Sequence, residues 1–187
     1  MYSTSGVVIQ KKDKGENDQL ITFFTKDYGK IVLIAKGIRK STSKLSGHVG
    51  LFSFSEIGFV LGKAYKVLTS AIELGGFLPN KEDLDKLKAA DHISKLILKH
   101  SFSEEKDDRI FELISNSFSY LSEKDFSDLE LEYFLRYFEF KFLTILGYKP
   151  HEKEVESFFA SQKVSRKAIE DIKMIFLRYF KNIFNEL

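Results

Sequence analysis

The feature that most constrains this chain is a change of hydrophobic period near residue 78. Before it, runs rich in Val, Ile, Thr, Phe and Tyr span Gly6 to Lys11, Gln19 to Thr25, Lys30 to Ala35, Leu51 to Val60 and Tyr65 to Leu74. Runs of that length and composition read as strands. Turn chemistry separates them, at residues 13–17 around Gly15, at Asp27-Tyr28-Gly29 and at Leu61-Gly62-Lys63. Gly29 suits the left-handed conformation that closes a short hairpin loop, where any Cβ is penalised. Only the connection from Lys36 to Gly50 is long. Five strands with one long connection between the third and fourth predict a small Greek-key barrel of the OB type.

Beyond Gly75-Gly76 and Pro79 the apolar residues recur at helical spacing. Leu84, Leu87, Ala90, Ile93, Leu96 and Ile97 mark one helix, and Ile110, Phe111, Ile114, Phe118 and Leu121 a second. Ser127 with Glu130 three residues later reads as a capping box that opens a third, Leu129 to Leu146. That helix is apolar nearly all round, so it is expected to be central, with the others packed on it. Gly147 and Pro150 end it. A last helix from about Ser165 carries Ile169, Ile172, Phe176, Tyr179, Ile183 and Leu187 on one face. The fold class is therefore α+β, with a barrel domain at residues 1–78 and a helical domain at 79–187. A chain of 187 residues buries about 70% of its unfolded surface, ample for this without a disulfide staple.

Charge follows the same division. Residues 1–78 hold 11 Lys and Arg against 6 Asp and Glu, whereas 79–187 hold 18 against 21. No acid falls between Asp27 and Glu56, and Lys30, Lys36, Arg39, Lys40 and Lys44 all lie in that gap. Positive potential concentrated on one segment points to a polyanion. In that segment Lys36, Arg39, Lys40 and Lys44 suit phosphates, Gly37 lets backbone approach closely, and Ser41, Thr42 and Ser43 offer further donors.

Enzyme signatures are missing. The chain has no Walker loop, no dinucleotide fingerprint, no zincin helix and no nucleophile elbow, and His48, His92, His100 and His151 do not fall at metal-ligand spacing. With no cysteine, thiol catalysis, iron-sulfur clusters and cysteine zinc sites are excluded. Asp107 and Asp108 suit a helix start better than acid-base work. Phe134, Phe138 and Phe142 fall at helical spacing and read as core. Phe52, Phe54 and Phe59 are the rings whose place is less plain; Phe52 and Phe54 share one face of the fourth strand and are expected inside the barrel, the alternative being an outer platform for bases. The first twenty residues contain no apolar run long enough for a leader or a span, so a cytoplasmic, nucleoid-associated location is expected.

Several motifs in chain order resemble those of the bacterial recombination-mediator family RecO. Gly15-Glu16-Asn17-Asp18 resembles its G-E-x-D turn, and Thr25 to Lys30 its T-x-x-x-G-[KR] hairpin. Ala35-Lys36-Gly37-Ile38-Arg39-Lys40, with Ser43, Leu45 and Gly47, resembles A-K-G-x-R-[KR] and its S-x-L-x-G continuation. Leu146-Gly147-Tyr148-Lys149-Pro150 is similar to the L-G-Y-x-P that ends the family's central helix. The resemblance covers about residues 5–150 and implies an OB barrel followed by a helical domain. It implies a non-enzymatic role in recombinational repair: binding single- and double-stranded DNA, annealing strands, engaging the C-terminal tail of single-strand-binding protein, and loading RecA with RecR. It places DNA contact on Lys36, Arg39 and Lys40, to which charge adds Lys30 and Lys44.

Two departures stand out. Many members carry a four-cysteine zinc module after L-G-Y-x-P, but only 37 residues follow Pro150 and none is cysteine. The module is expected to be absent, with no metal or cofactor. Where the family often has Gln-Pro, this chain has Gly50-Leu51 before Phe52. The rival reading is an OB-fold protein-protein adaptor without nucleic-acid activity; a metal-dependent nuclease comes third and lacks a carboxylate constellation.

Overall fold

The structure, a computed structural model, describes residues 1–76, 83–161 and 164–185. Pro79 and Leu187, and the expected boundary at 78/79, lie outside them. Five strands, β1 (Tyr2–Lys14), β2 (Asp18–Thr25), β3 (Gly29–Ala35), β4 (Ser53–Leu61) and β5 (Lys66–Gly76), close a barrel in the order β1-β2-β3-β5-β4. This is the expected OB-type Greek key. Strand β1 is long because it serves two partners: Tyr2 to Val7 pair with β4, and Gly6 to Lys14 with β2. An irregularity between Val8 and Gln10 bends it between them.

The seam between β3 and β5 is parallel and short, Leu33 beside Lys66 and Ile34 beside Val67. The long connection strengthens it. Its short 3-10 turn at Ser46–His48 packs on β5, and its Ile38 and Val49 are buried in the same core as Val8, Ile21, Phe23, Leu33, Ile57 and Phe59. Leu45 packs against that core.

Strand β4 begins at Ser53, not Leu51, because Phe52 takes a left-handed turn with φ 67° and donates its N–H to Val8 O at 2.9 Å. Ser53, Ser55, Ile57 and Phe59 are fully buried along it. Phe52 and Phe54 share a face as alternation requires, but it is the outer one, which corrects the expectation for both. Neither offers itself to bases. Phe52 sits edge-on to Phe118 with centroids 5.4 Å apart, and Phe54 lies 6.1 Å from Phe111.

Those partners belong to α2 (Asp108–Glu123), which with α1 (Leu84–His100) forms one compact unit with the barrel, Met1–Glu123. Asp83 caps α1 by accepting the Lys86 N–H at 3.2 Å. Asp107 accepts the N–H groups of Arg109 and Ile110 at the start of α2, the dipole role expected of it. Helix α1 packs on β1 and α2, and α2 on β5. The expectation of a central third helix carrying all others is corrected accordingly: α1 and α2 spend their apolar faces on the barrel and on each other.

The second unit, Lys124–Leu187, holds α3 (Asp128–Ile145), α4 (Lys153–Ala160) and α5 (Arg166–Asn185). The capping box at Ser127 and Glu130 forms on both sides. The α3 C-terminus closes with Tyr148 N–H on Leu143 O at 2.9 Å across Gly147, a Schellman arrangement. Helix α5 packs on α3 and α4. Helix α4 was not foreseen; its Phe159 ring touches Tyr133, Tyr137 and Phe140 of α3. Among the described residues no helix is long and apolar enough to cross a membrane.

Candidate nucleic-acid interface

The basic segment is a pinned turn. Past Ala35 the chain reverses at Gly37, whose φ is 66°. Gly37 donates its N–H to Asp18 Oδ1 at 2.7 Å, and Arg39 donates its own to Asn17 O at 3.0 Å. Lys40 N–H reaches Gly37 O at 3.1 Å, and Ser43 N–H reaches Lys40 O at 2.9 Å. These backbone donors are spent within the turn or on the β1–β2 hairpin, so Gly37 serves the reversal and is not an open approach for phosphate. The two motifs G-E-x-D and A-K-G-x-R are thereby joined: the Asp of one holds the Gly of the other.

Anchoring also decides where the cations go. Ile38 is 2% exposed in the barrel core, so its neighbours Lys36, Arg39 and Lys40 are turned outward, and Lys44 is exposed as well. Among the described residues the ion pairing of this segment is confined to Arg39 Nη1 and Asp13 Oδ2, 3.1 Å apart and well exposed. A pair of that kind is worth only about 0–1 kcal/mol, so Arg39 can exchange its carboxylate for a phosphate at little cost. Asp13, Asp18 and Asn17 all belong to the β1–β2 hairpin, which brings the exposed Lys12 to the same end of the barrel. The Lys11 amine is held below its usual range by burial, partly offset by Asp13. The β4–β5 loop, residues 62–65, completes the group: Lys14 Nζ lies 3.5 Å from the centre of the Tyr65 ring.

Lys30 does not join them. It starts β3, whereas Lys36 follows its end, about 20 Å away at the usual strand rise. Its ammonium donates to Leu98 O at 2.7 Å and to Ser101 O, the last carbonyls of α1. A cation there completes the helix terminus, and burial lowers its pKa. The rest of the T-x-x-x-G-K motif works to the same end. Thr25 Oγ1 donates to Gly29 O at 2.9 Å and accepts the Tyr28 N–H at 3.1 Å. Gly29 has φ 60°, and a Cβ there would lie 1.9 Å from Glu105 O. Glu104 N–H reaches Lys30 O at 2.9 Å, and the Glu104 carboxylate pairs with Lys66. The motif is a clasp for the α1–α2 connection.

His100 lies buried beside this clasp; burial first, then Lys99 and Lys30, push its pKa down to about 4. Among the described residues no group of three or more His, Asp or Glu is placed to hold a metal ion. After Pro150 the described residues build α4 and α5 without a cysteine, so they do not fit a four-cysteine zinc site.

Sequence reasoning missed Asp13, Lys14, Asn17, Asp18 and Tyr65. Lys14 stands between Asp13 and Glu16, so a search for acid-free stretches passes it over. The available signal was topological: in an OB barrel the β1–β2 and β4–β5 loops flank the ligand face.

A closed OB barrel whose long connection turns its cations outward beside the first hairpin, followed by helices, defines a basic OB-barrel protein with a helical extension. Residues 1–77 match Recombination protein O N terminal and residues 81–155 match Recombination protein O C terminal; the chain belongs to the RecO family. The DNA repair protein RecO of Dehalococcoides mccartyi is 33% identical over 153 residues, 82% of this chain and 59% of that protein. That of Acetivibrio thermocellus is 33% identical over 147 residues, 79% of this chain and 57% of its own length. That of Halalkalibacterium halodurans is 28% identical over 149 residues, 80% and 57% respectively. The chain thus spans less than three-fifths of the length of these relatives.

Proposed function

We propose that this chain is a non-enzymatic recombination mediator of DNA repair. It binds single- and double-stranded DNA through Lys36, Arg39, Lys40 and Lys44, anneals complementary strands, and assists RecA loading with RecR and single-strand-binding protein. DNA contact falls to the barrel, residues 1–78, and the recruitment of protein partners to the helices of residues 79–187. The place of work is the cytoplasmic nucleoid.

The observation that carries the reading is the double anchoring of the 36–44 turn, by Ile38 in the core and by Asp18 on Gly37 N–H. It fixes the backbone while four cations stay solvated. Phosphates approaching that surface displace counterions, and the resulting positive face screens the repulsion between two strands brought side by side. Membership of a family whose relatives are named DNA repair proteins supports the same role.

Four neutralised phosphates on a single strand give a log-log salt slope near about −3, or roughly fifty-fold weaker binding at 200 than at 50 mM salt. Fluorescence anisotropy with a labelled oligonucleotide at those two concentrations measures it. The K36A/R39A/K40A variant is expected to bind severalfold more weakly at low salt, with a slope reduced by about 2. Unchanged affinity and slope would remove the segment from the interface; a chain that retains DNA only weakly at both concentrations is an adaptor. Annealing of strands precoated with the cognate single-strand-binding protein tests the partner half of the reading.

A further inference from the structure

We infer that Tyr65 is a stacking platform for one nucleobase of single-stranded DNA, beside the turn that grips phosphates. The inference rests on the proposed DNA-binding role and adds to it a means of telling single strands from duplex. Three rings on β4 or just before it, Phe52, Phe54 and Phe59, were candidates for stacking, and all three are spent on packing. Tyr65 is different. It stands in the β4–β5 loop with 39% of its surface exposed. Lys14 rests on the ring at 3.5 Å, and among the described residues no other ring or ammonium packs on it.

A cation on one face of a ring steadies it by cation–π attraction, and the 39% of Tyr65 that stays exposed is the surface a base can reach. The backbone is steadied too. Gly62 N–H donates to Tyr65 O at 3.1 Å, and a Cβ on Gly62 would lie 2.5 Å from that oxygen, so the loop closes more tightly than a side chain there permits. The platform is therefore ordered before any strand arrives, which lowers the entropy lost on binding.

Its neighbours place it on the DNA path. Lys14 pairs across the hairpin with Asp18, which holds Gly37, and the adjacent Asp13 holds Arg39. One hairpin thus touches both the ring and the basic turn. A strand whose phosphates meet Lys36, Arg39 and Lys40 can lay an unstacked base on Tyr65. A base pair inside a duplex cannot, because its faces are already covered by the pairs above and below.

Anisotropy of the intact chain with labelled oligothymidylate and with a blunt duplex tests this. Tyr65→Ala is expected to weaken single-strand binding about fivefold or more, with duplex affinity and both salt slopes unchanged, while Tyr65→Phe keeps the wild-type affinity. The chain contains no tryptophan, so Tyr65→Trp creates a single reporter. Its emission should be quenched by oligothymidylate at saturation and left unquenched by duplex. Equal loss on both DNAs, no loss on either, or an unquenched tryptophan under saturating single strand overturns the inference. If K36A/R39A/K40A abolishes binding and the Tyr65 variants do not alter it, the platform falls alone. If the unaltered chain binds neither DNA, the proposed function falls with it.

Discussion

A lysine can offer its charge to a partner or spend it on the protein's own backbone, and its neighbours decide which. Lys30 and Lys40 stand near opposite ends of one strand and take opposite roles. The Lys30 ammonium sits on the last carbonyls of α1, while Lys40 is exposed over the turn at Gly37. Lys30→Ala leaves the buried Ser101 carbonyl without that donor and should cost about 1–3 kcal/mol of stability, read from urea unfolding, with the DNA salt slope unaltered. Lys40→Ala should do the reverse. A lowered DNA slope in the Lys30 variant would return that residue to the interface. His100, next to the same clasp, gives a pH test. Its imidazole titrates near 6.5 when unfolded and about 4 when folded, so between those values the unfolded chain holds a proton that the folded one lacks. Its contribution therefore makes stability fall as pH drops from about 6.5 toward 4. His100→Gln should flatten the urea midpoint between pH 6.5 and 5, above the range where carboxylates dominate.

At the scale of elements, what was legible in the sequence was what is local. The capping box of α3 needs only Ser127 and Glu130. The Glu130 carboxyl is held down to about 2, first by the Ser127 N–H, then by the Ser127 hydroxyl and Lys124. A depressed carboxyl stabilises above its unfolded value of 4.5, and that contribution fades as pH falls toward 2. Glu130→Gln should remove this acid-side slope, and Ser127→Ala should cost about 1 kcal/mol; full helicity of α3 in both at pH 3 by circular dichroism, without loss of midpoint, would contradict it. The five strands and four of the helices were equally readable, because alternation and 3.6-residue spacing are properties of short segments. Misjudged were features set by what lies across space. Alternation placed Phe52 and Phe54 on one face but could not say that α2 covers the outer one. Charge picked out Lys30 with Lys36, blind to α1 arriving on it 68 residues later in sequence. Helix α4 is only eight residues long, too short for its period to stand out. The family motifs were visible as letters; their joint work, Asp18 holding Gly37 and Gly29 making room for Glu105, is a matter of geometry.

For the whole molecule the question is where one folding unit ends. The hydrophobic period changes near residue 78, and the two family matches divide at 77 and 81, yet chain packing divides at Glu123. The reason is physical: α1 and α2 supply the outer wall of the barrel. Without them Phe52 and Phe54 lose Phe118 and Phe111, Gly29 loses the 104–105 segment, and Lys30 loses its carbonyls. Uncovering two aromatic side chains alone forfeits roughly 3–6 kcal/mol, a large part of the total stability of a domain of this size. A fragment of residues 1–123 should therefore unfold cooperatively and keep the salt-dependent DNA affinity of the intact chain, since the whole 36–44 turn and the β1–β2 hairpin lie within it. A fragment of residues 1–78 should bind a hydrophobic dye, unfold without a sharp transition and lose affinity, although it contains every cation assigned to DNA. Equal thermal midpoints and equal affinity for the two fragments would make the barrel autonomous and reduce α1 and α2 to appended helices.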